Sequence, residues 1–119
     1  MGSLLIRAKI VMRITQCAIR LGYALMKSGV DFSNYDMGPK TSEGYPRGAK
    51  SLADWIRKNF GEPTNIYATP NDFINNNLHR TGIFFQNTPG GINHIDLWNK
   101  GKPGSGIYKS EEVLFWYIM

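Results

Sequence analysis

The single cysteine and one of the two histidines are the side chains of this sequence best suited to nucleophilic catalysis. Cys17 falls in the first turns of a predicted helix, where unpaired backbone amides and the helix dipole stabilise a thiolate. His94 opens a predicted strand, and in a sheet packed against that helix its imidazole could face the sulfur and accept the proton. A lone cysteine is more often a small buried apolar residue, so the pair alone is a weak signal.

The group that would orient the imidazole is open. Asp96 lies two residues after His94, so in a regular strand both side chains leave the same face. Its carboxylate could orient the ring, or it could bind nearby backbone amides or substrate. Ser105, Asn99 or a backbone carbonyl could hold the ring instead. The choice matters because the orienting group sets which ring nitrogen carries the proton.

Three segments are predicted helices, the first two from their apolar period and the third from a cap pattern with proline in the first turn at Thr69-Pro70. The first runs from about residue 14 to 28, with Ser28-Gly29 as a stop. The second covers about residues 48–60 and the third runs from Pro70 to about Asn77. The first helix repeats its apolar residues at Ile14, Ala18, Leu21 and Leu25, and the second at Ala49, Leu52, Ala53, Ile56 and Phe60. Residues 30–47 are rich in Ser, Asn, Asp, Gly and Pro and are predicted to be a long loop.

After about residue 80 the apolar period becomes that of a strand. Residues 82–86, 94–98 and 112–118 are predicted strands, and residues 66–68 are a shorter candidate. The segment 94–98 alternates polar and apolar residues, which is typical of a half-buried strand, and 100–106 is predicted to be a turn or loop. Helices followed by consecutive strands indicate an α+β domain with a mainly antiparallel sheet and the early helix packed on one face. Aromatic residues at core and sheet-face spacing are predicted to be core rather than a ligand-stacking set: Trp55, Phe84, Phe85, Trp98, Phe115 and Trp116.

Length and composition limit the class of protein. The 119 residues suit one domain, and a hydrophobic content of 42% argues against disorder. A net charge of +5 favours polyanionic partners such as nucleic acid or cell-wall polymer, although a merely soluble basic protein has the same balance. One cysteine excludes an intramolecular disulfide and a cysteine-based zinc site. No apolar run approaches the about 20 residues of a membrane span, and the charges at Arg7, Lys9 and Arg13 interrupt any secretory signal.

Five stretches of the sequence occur in an order that resembles a known family. They are QCAIRLGYAL (16–25), YPRGAKSLADWI (45–56), GIFF (82–85), HIDLWN (94–99) and VLFWYI (113–118). Together they resemble the fourth family of amidase effectors of bacterial type VI secretion. The resemblance implies a papain-like, NlpC-type fold, with Cys17 as the nucleophile and His94 as the general base.

The same resemblance implies a substrate and partners. The substrate would be the amide between D-glutamate and meso-diaminopimelate in peptidoglycan stems, cut without a metal or other cofactor. The protein would be made in the cytoplasm without a Sec signal and delivered by the type VI secretion apparatus into a rival's periplasm as an antibacterial toxin. A cognate immunity protein would plug its cleft. Gln16 lies where papain-like folds often place an oxyanion donor, or it caps the helix, and Arg20 could contact a stem carboxylate or be solvated.

The sequence departs from the family in two places. The family has a longer segment before the cysteine, so residues 1–15 are predicted to be an N-terminal segment, partly tag or truncated lead-in, and residues 16–119 the amidase domain. The family also orients its histidine with an aspartate further along the chain, at a position that Ser105 occupies here, and no aspartate follows Asp96. An amidase impaired by these changes is therefore one alternative.

Two further alternatives belong to other classes of protein. A metal-dependent hydrolase could use His94, Asp96 and His79, but only the first two have a recognisable spacing. His79 lies in the polar run NNNLHRTG and is predicted to be an exposed loop residue. A basic module without catalysis would bind nucleic acid or cell wall, yet no strand interleaves basic and aromatic residues as nucleic-acid modules do. Lys100 and Lys102 could contact anionic wall polymer or be solvated charges.

Overall fold

The computed structural model describes residues 18–118, which form three helices and five strands. Helix α1 is described over residues 18–27, so the predicted start of this helix near residue 14 lies outside the described range. The elements after it are, in chain order, α2 (Ala49–Phe60), β1 (Asn65–Tyr67), α3 (Pro70–Asn76), β2 (Thr81–Asn87), β3 (His94–Asn99), β4 (Lys102–Pro103) and β5 (Glu112–Tyr117). Residues 30–47 form the predicted long loop, tied by one bridge between Lys40 and Pro46.

The five strands form one sheet in the order β1-β5-β2-β3-β4, and every neighbouring pair is antiparallel. The last strand therefore lies between the first two, and β2 is the central strand that pairs with both β5 and β3. This arrangement confirms the predicted α+β class and its mainly antiparallel sheet. The prediction that residues 100–106 form only a turn or loop is wrong, because β4 pairs with the end of β3 across a two-residue turn.

Helices α1 and α2 cover one face of the sheet, called here the helix face. Side chains on this face alternate along the strands, as in Ile83 and Phe85 of β2, and they share one buried cluster with both helices. From α1 the cluster takes Ala18 and Leu21, which confirms that the early helix packs on the sheet. Phe60, predicted to be part of the apolar face of α2, is 60% exposed, because it is the last residue of the helix and only its ring edge meets Trp55.

The opposite face, called here the loop face, is covered by α3 and by the connection between β4 and β5. Its apolar part is a small cluster of aromatic rings around Phe73 of α3, whose centroid lies 5.1 Å from those of Phe84 and Phe115 and 4.7 Å from that of Trp98. The six aromatic residues predicted to be core are all buried. Gly82 has no space for a side chain here, since a Cβ atom would lie 2.1 Å from the carbonyl oxygen of Trp116.

Within residues 18–118 no helix combines the length and the apolar character that crossing a bilayer requires.

Candidate active site

Strand β3 brings two of the predicted site residues together on the loop face. His94 Nε2 lies 3.6 Å from Asp96 Oδ2, as the two-residue period of a strand predicts. The two residues are 1% and 7% exposed, whereas Leu97 is 38% exposed. The prediction of a half-buried strand is therefore wrong in its detail, because the polar face of β3 is buried as well. That burial is tolerated because hydrogen bonds from the β4–β5 connection meet the polar groups.

A tight turn after β3 explains how the β4–β5 connection reaches these side chains. Lys100 and Gly101 have φ values of 49° and 92°, the left-handed conformation that a two-residue hairpin turn of type I′ requires at both positions. The turn folds the chain back, so that the Gly104 amide donates to the Leu97 carbonyl at 2.9 Å. Residues 104–106 consequently lie alongside the strand that carries His94 and Asp96.

Asp96 holds this returning segment by its carboxylate. Oδ2 accepts hydrogen bonds from the Ser105 amide at 2.6 Å, from the Ser105 hydroxyl at 3.1 Å and from the Gly106 amide at 3.4 Å. Oδ1 accepts from the Leu97 amide at 2.8 Å. Asp96 thus binds backbone amides, one of the roles left open by the sequence, and Ser105 donates to it from both its amide and its hydroxyl.

His94 meets the same segment at its Nε2 atom, which lies 2.9 Å from the Gly106 carbonyl oxygen. A carbonyl can only accept, so Nε2 carries the proton and Nδ1 is the basic nitrogen of the neutral ring. The ring is further fixed by edge-on contacts with Phe84 and Tyr108, at centroid distances of 5.7 and 4.8 Å. Of the alternatives that the sequence left open, a backbone carbonyl is the group in direct contact with Nε2.

Gln86 anchors the far end of the connection and was missed by sequence reasoning. It pairs with His94 across β2 and β3 and is 1% exposed. Its Oε1 accepts from the Tyr108 amide at 3.0 Å, while its Nε2 donates to the Tyr108 carbonyl and to the Ser110 hydroxyl. A glutamine at the end of the apolar run GIFFQ was the available signal, but its contacts are with residues more than twenty positions away.

The charge state of Asp96 follows from these contacts. Burial alone would raise the pKa of its carboxyl, but the neighbouring His94 ring and the amides of Ser105 and Leu97 outweigh burial and hold the pKa below its ordinary value. Asp96 is therefore a carboxylate throughout the neutral range. Its negative charge 3.6 Å from Nε2 also favours the protonated imidazolium that a general base becomes after accepting a proton.

A cavity of about 130 Å³ opens beside this cluster, where α1 meets the edge of the sheet. Its lining combines α1 with the end of β3 and the returning segment: Arg20, Leu21, Asp96, Leu97, Gly104 and Ser105. Arg20 is exposed, and its position beside Asp96 and Ser105 was not evident from the sequence. The cavity has room for a few water molecules or one substituent of a larger ligand that remains mostly outside.

Two predicted site residues, Gln16 and Cys17, lie outside the described residues. The first described residue of α1, Ala18, is fully buried in the helix-face cluster.

His79 is exposed in a turn before β2, as predicted. The adjoining strand pairs Thr81 with Asn99 at one end and Gln86 with His94 at the other, so His79 and His94 lie near opposite ends of β3. Within the described part of the chain, no three side chains among His, Cys, Asp and Glu converge as metal ligands would. The described residues therefore do not bring His79 together with His94 and Asp96, as the metal-dependent alternative would require.

Comparison with known proteins adds a family and a fold. A sequence model of the family described as type VI secretion system (T6SS), amidase effector protein 4, matches residues 14–116. The structure is similar to that of the effector Tae4 from Salmonella typhimurium in complex with the immunity Tai4 from Enterobacter cloacae, with a TM-score of 0.73 and 18% identity over 87% of this chain and 74% of that chain. It is also similar to the Tae4–Tai4 effector–immunity complex from Enterobacter cloacae, with a TM-score of 0.66 and 18% identity over the same shares of the two chains. A search of curated proteins found no match.

Proposed function

Because this chain belongs to the type VI secretion amidase effector protein 4 family, we propose that it hydrolyses the D-glutamyl–meso-diaminopimelate amide of peptidoglycan stems with a cysteine nucleophile and a histidine base. The family supplies the amidase class. The observation that carries the assignment of a histidine base is the state of His94: a buried ring, fixed on three sides, whose Nε2 donates its hydrogen to the Gly106 carbonyl. A ring held in that way presents Nδ1 as a base.

The position of α1 supports Cys17 as the partner of that base. Arg20 and Leu21 line a cavity together with Asp96, so this end of α1 lies beside the residues that surround His94. Cys17 precedes Leu21 by four residues in the sequence and is bonded to Ala18. We therefore propose that the Cys17 thiol passes its proton to His94 Nδ1.

The proposed mechanism is acyl transfer in two steps. The Cys17 thiolate attacks the stem carbonyl carbon, the C–N bond breaks, and the His94 imidazolium gives its proton to the departing amine of diaminopimelate. Water then attacks the thioester with His94 as the base, which releases the D-glutamyl carboxylate and regenerates the thiol. Gln16 is the proposed donor to the oxyanion, together with the amide of Cys17, and Arg20 the proposed contact of a stem carboxylate.

The setting of this activity is part of the proposal. As a type VI effector, the protein would be an antibacterial toxin that the secretion apparatus delivers to the periplasm of a rival cell. The structurally similar Tae4 proteins are in complex with Tai4 immunity proteins. A cognate immunity protein that blocks the cleft beside Arg20 and Ser105 is therefore the proposed partner in the producing cell.

Mass spectrometry of muropeptides tests the proposed reaction. Sacculi that contain meso-diaminopimelate are incubated with the protein, digested with a muramidase and analysed. We expect stems to be replaced by fragments ending in D-glutamate and complementary fragments with a free diaminopimelate amine, each pair heavier by one water than the parent. Intact stems after prolonged incubation with folded protein would refute the proposal.

Two matched controls identify the chemistry. Cys17→Ala should abolish cleavage, because no other thiol exists in the chain. Addition of EDTA should leave the wild-type rate unchanged. Loss of activity with EDTA together with full activity of Cys17→Ala would instead favour a metal-dependent hydrolase.

A further inference from the structure

The connection between β4 and β5 crosses His94 and is fastened on both sides of it. On one side Asp96 binds the amides of Ser105 and Gly106. On the other side Gln86 binds the backbone of Tyr108 through both its amide nitrogen and its amide oxygen. The Gly106 carbonyl that meets His94 Nε2 lies between these two attachments in the sequence.

The contact of Asp96 with the ring is not a direct hydrogen bond. The 3.6 Å between Asp96 Oδ2 and His94 Nε2 exceeds hydrogen-bond length, whereas the Gly106 carbonyl oxygen lies 2.9 Å from the same nitrogen. The backbone of one residue therefore contacts both side chains, since the Gly106 amide donates to Asp96 at 3.4 Å and the carbonyl of the same residue accepts from His94.

Gly104 shows how closely the segment is fitted to this carboxylate. A Cβ atom at residue 104 would lie 2.5 Å from Asp96 Oδ1 and 3.3 Å from its carboxyl carbon. The φ angle of Gly104 lies outside the left-handed region, so a glycine is required for space and not for backbone freedom. A side chain at residue 104 would therefore displace the carboxylate from the amides of Ser105 and Gly106.

We propose that Asp96 is the positioning residue of the reaction and that, besides its charge near the ring, it orients His94 through the backbone of Gly106, whose amide it binds and whose carbonyl meets Nε2. By fixing residues 105–106, the carboxylate holds a carbonyl against Nε2, which keeps the neutral ring in the tautomer whose base is Nδ1. The proposal rests on the function proposed above for His94. It assigns the orienting role to an aspartate on the strand and a carbonyl on the loop acting together.

Proton–nitrogen correlation spectra of the imidazole rings test the tautomer without any substrate. The chain has two histidines, and the exposed His79 serves as an internal reference for an unconstrained ring. Above about pH 8, where an ordinary imidazole is neutral, we expect the wild-type His94 ring to carry its proton on Nε2 only. In Asp96→Asn, where one amide group must face donors, we expect the signals of His94 to shift toward those of a tautomer mixture.

Kinetics on peptidoglycan fragments supply the second readout. Asp96→Asn should lower kcat more than about 10-fold, because a ring in the other tautomer does not present Nδ1 as the base, with little change in KM. Gly104→Ala should reproduce part of both effects by displacing the carboxylate without altering its chemistry. Ser105→Ala is the matched control, because it removes a hydroxyl bond and keeps the amide bond, and it should cost less than about tenfold in kcat.

The outcomes separate this proposal from the proposed function. An Asp96→Asn protein that is folded, keeps the Nε2 proton and retains its kcat would overturn the positioning role, as would a wild-type ring protonated at Nδ1. If Asp96→Asn does not fold, the imidazole spectrum and the kcat of Gly104→Ala test the positioning role instead, and unchanged values of both would overturn it. Failure of the wild-type protein to cut peptidoglycan would refute the proposed function. In that case the spectra of the His94 ring would still test whether Asp96 sets its tautomer.

Discussion

The two faces of the sheet bury different kinds of residue. The helix face buries an apolar cluster formed by the sheet with α1 and α2. Among the described residues of this cluster, Tyr35 alone carries a hydroxyl group. The loop face combines a small aromatic cluster around Phe73 with buried polar side chains. Within residues 18–118 the buried polar and charged residues all lie on or next to the loop face: Asn77, Gln86, His94 and Asp96.

This difference indicates a division of roles. Burying apolar area stabilises a fold, whereas burying a polar group costs free energy unless its hydrogen bonds are met. The apolar sheet residues of the helix face have the composition expected of a region that stabilises the fold. On the loop face a carboxylate and an imidazole are kept in place by a connection built around them, which is the arrangement expected where geometry serves chemistry.

Replacing His94, the proposed base, is expected to have the largest effect and would test the chemical role of the loop face. His94→Gln keeps a polar side chain of similar reach but removes the titrating ring. We expect kcat on peptidoglycan fragments to fall about 100- to 10,000-fold, the range for loss of a general acid–base group. His79→Gln, at the other end of β3, is the matched control and should keep its full rate. Equal losses of kcat in His94→Gln and His79→Gln would contradict the assignment of a chemical role to the loop face.

Truncating a core ring is the complementary change on the helix face. Phe85→Ala should lower the free energy of unfolding by about 3–5 kcal/mol, since the residue is 3% exposed and its removal leaves a cavity. Activity per folded molecule should stay near that of the wild type. Urea unfolding monitored by tryptophan fluorescence measures the first quantity, and fragment hydrolysis below the unfolding transition measures the second. A folded Phe85→Ala protein without activity would show that the two faces are not separable.

Acid should act on the loop face through Asp96. Its pKa is held below the ordinary value in the folded state, so the stability that its contacts contribute is present above about pH 4 and is lost as the pH falls through the folded-state pKa. Urea midpoints measured between about pH 6 and pH 3 should therefore fall more steeply for wild type than for Asp96→Asn. Parallel curves for the two proteins would mean that this carboxylate does not contribute to acid sensitivity.

Local sequence patterns predicted the elements but not the contacts between them. The helical period predicted α2, and the cap pattern at Thr69-Pro70 predicted α3, each to within about two residues, and the two-residue period placed His94 and Asp96 on one face. The contacts of Gly106 with His94 and of Tyr108 with Gln86 escaped prediction. These contacts depend on the Lys100-Gly101 turn and on strand pairing. Both bring together residues that are too far apart in the sequence for a local pattern to relate them.

The burial of β3 shows the same limit. A polar–apolar alternation does not reveal whether the polar side faces water or a connection that satisfies its hydrogen bonds, and here the connection covers His94 and Asp96. The resemblance in QCAIRLGYAL and HIDLWN indicated the family, which the match over residues 14–116 confirms. The roles of Cys17, Gln16 and Arg20 stay predictions.

The most direct test of the central claim is the pH dependence of Cys17 alkylation by iodoacetamide, in wild type and in His94→Gln. The chain has no other cysteine, so the mass of the intact protein reports this thiol alone. If sulfur and imidazole exchange a proton, wild type should be alkylated rapidly well below about pH 7, and His94→Gln only as the pH approaches the ordinary thiol value of about 8.5. Superimposable profiles with the ordinary thiol value in both proteins would contradict the claim.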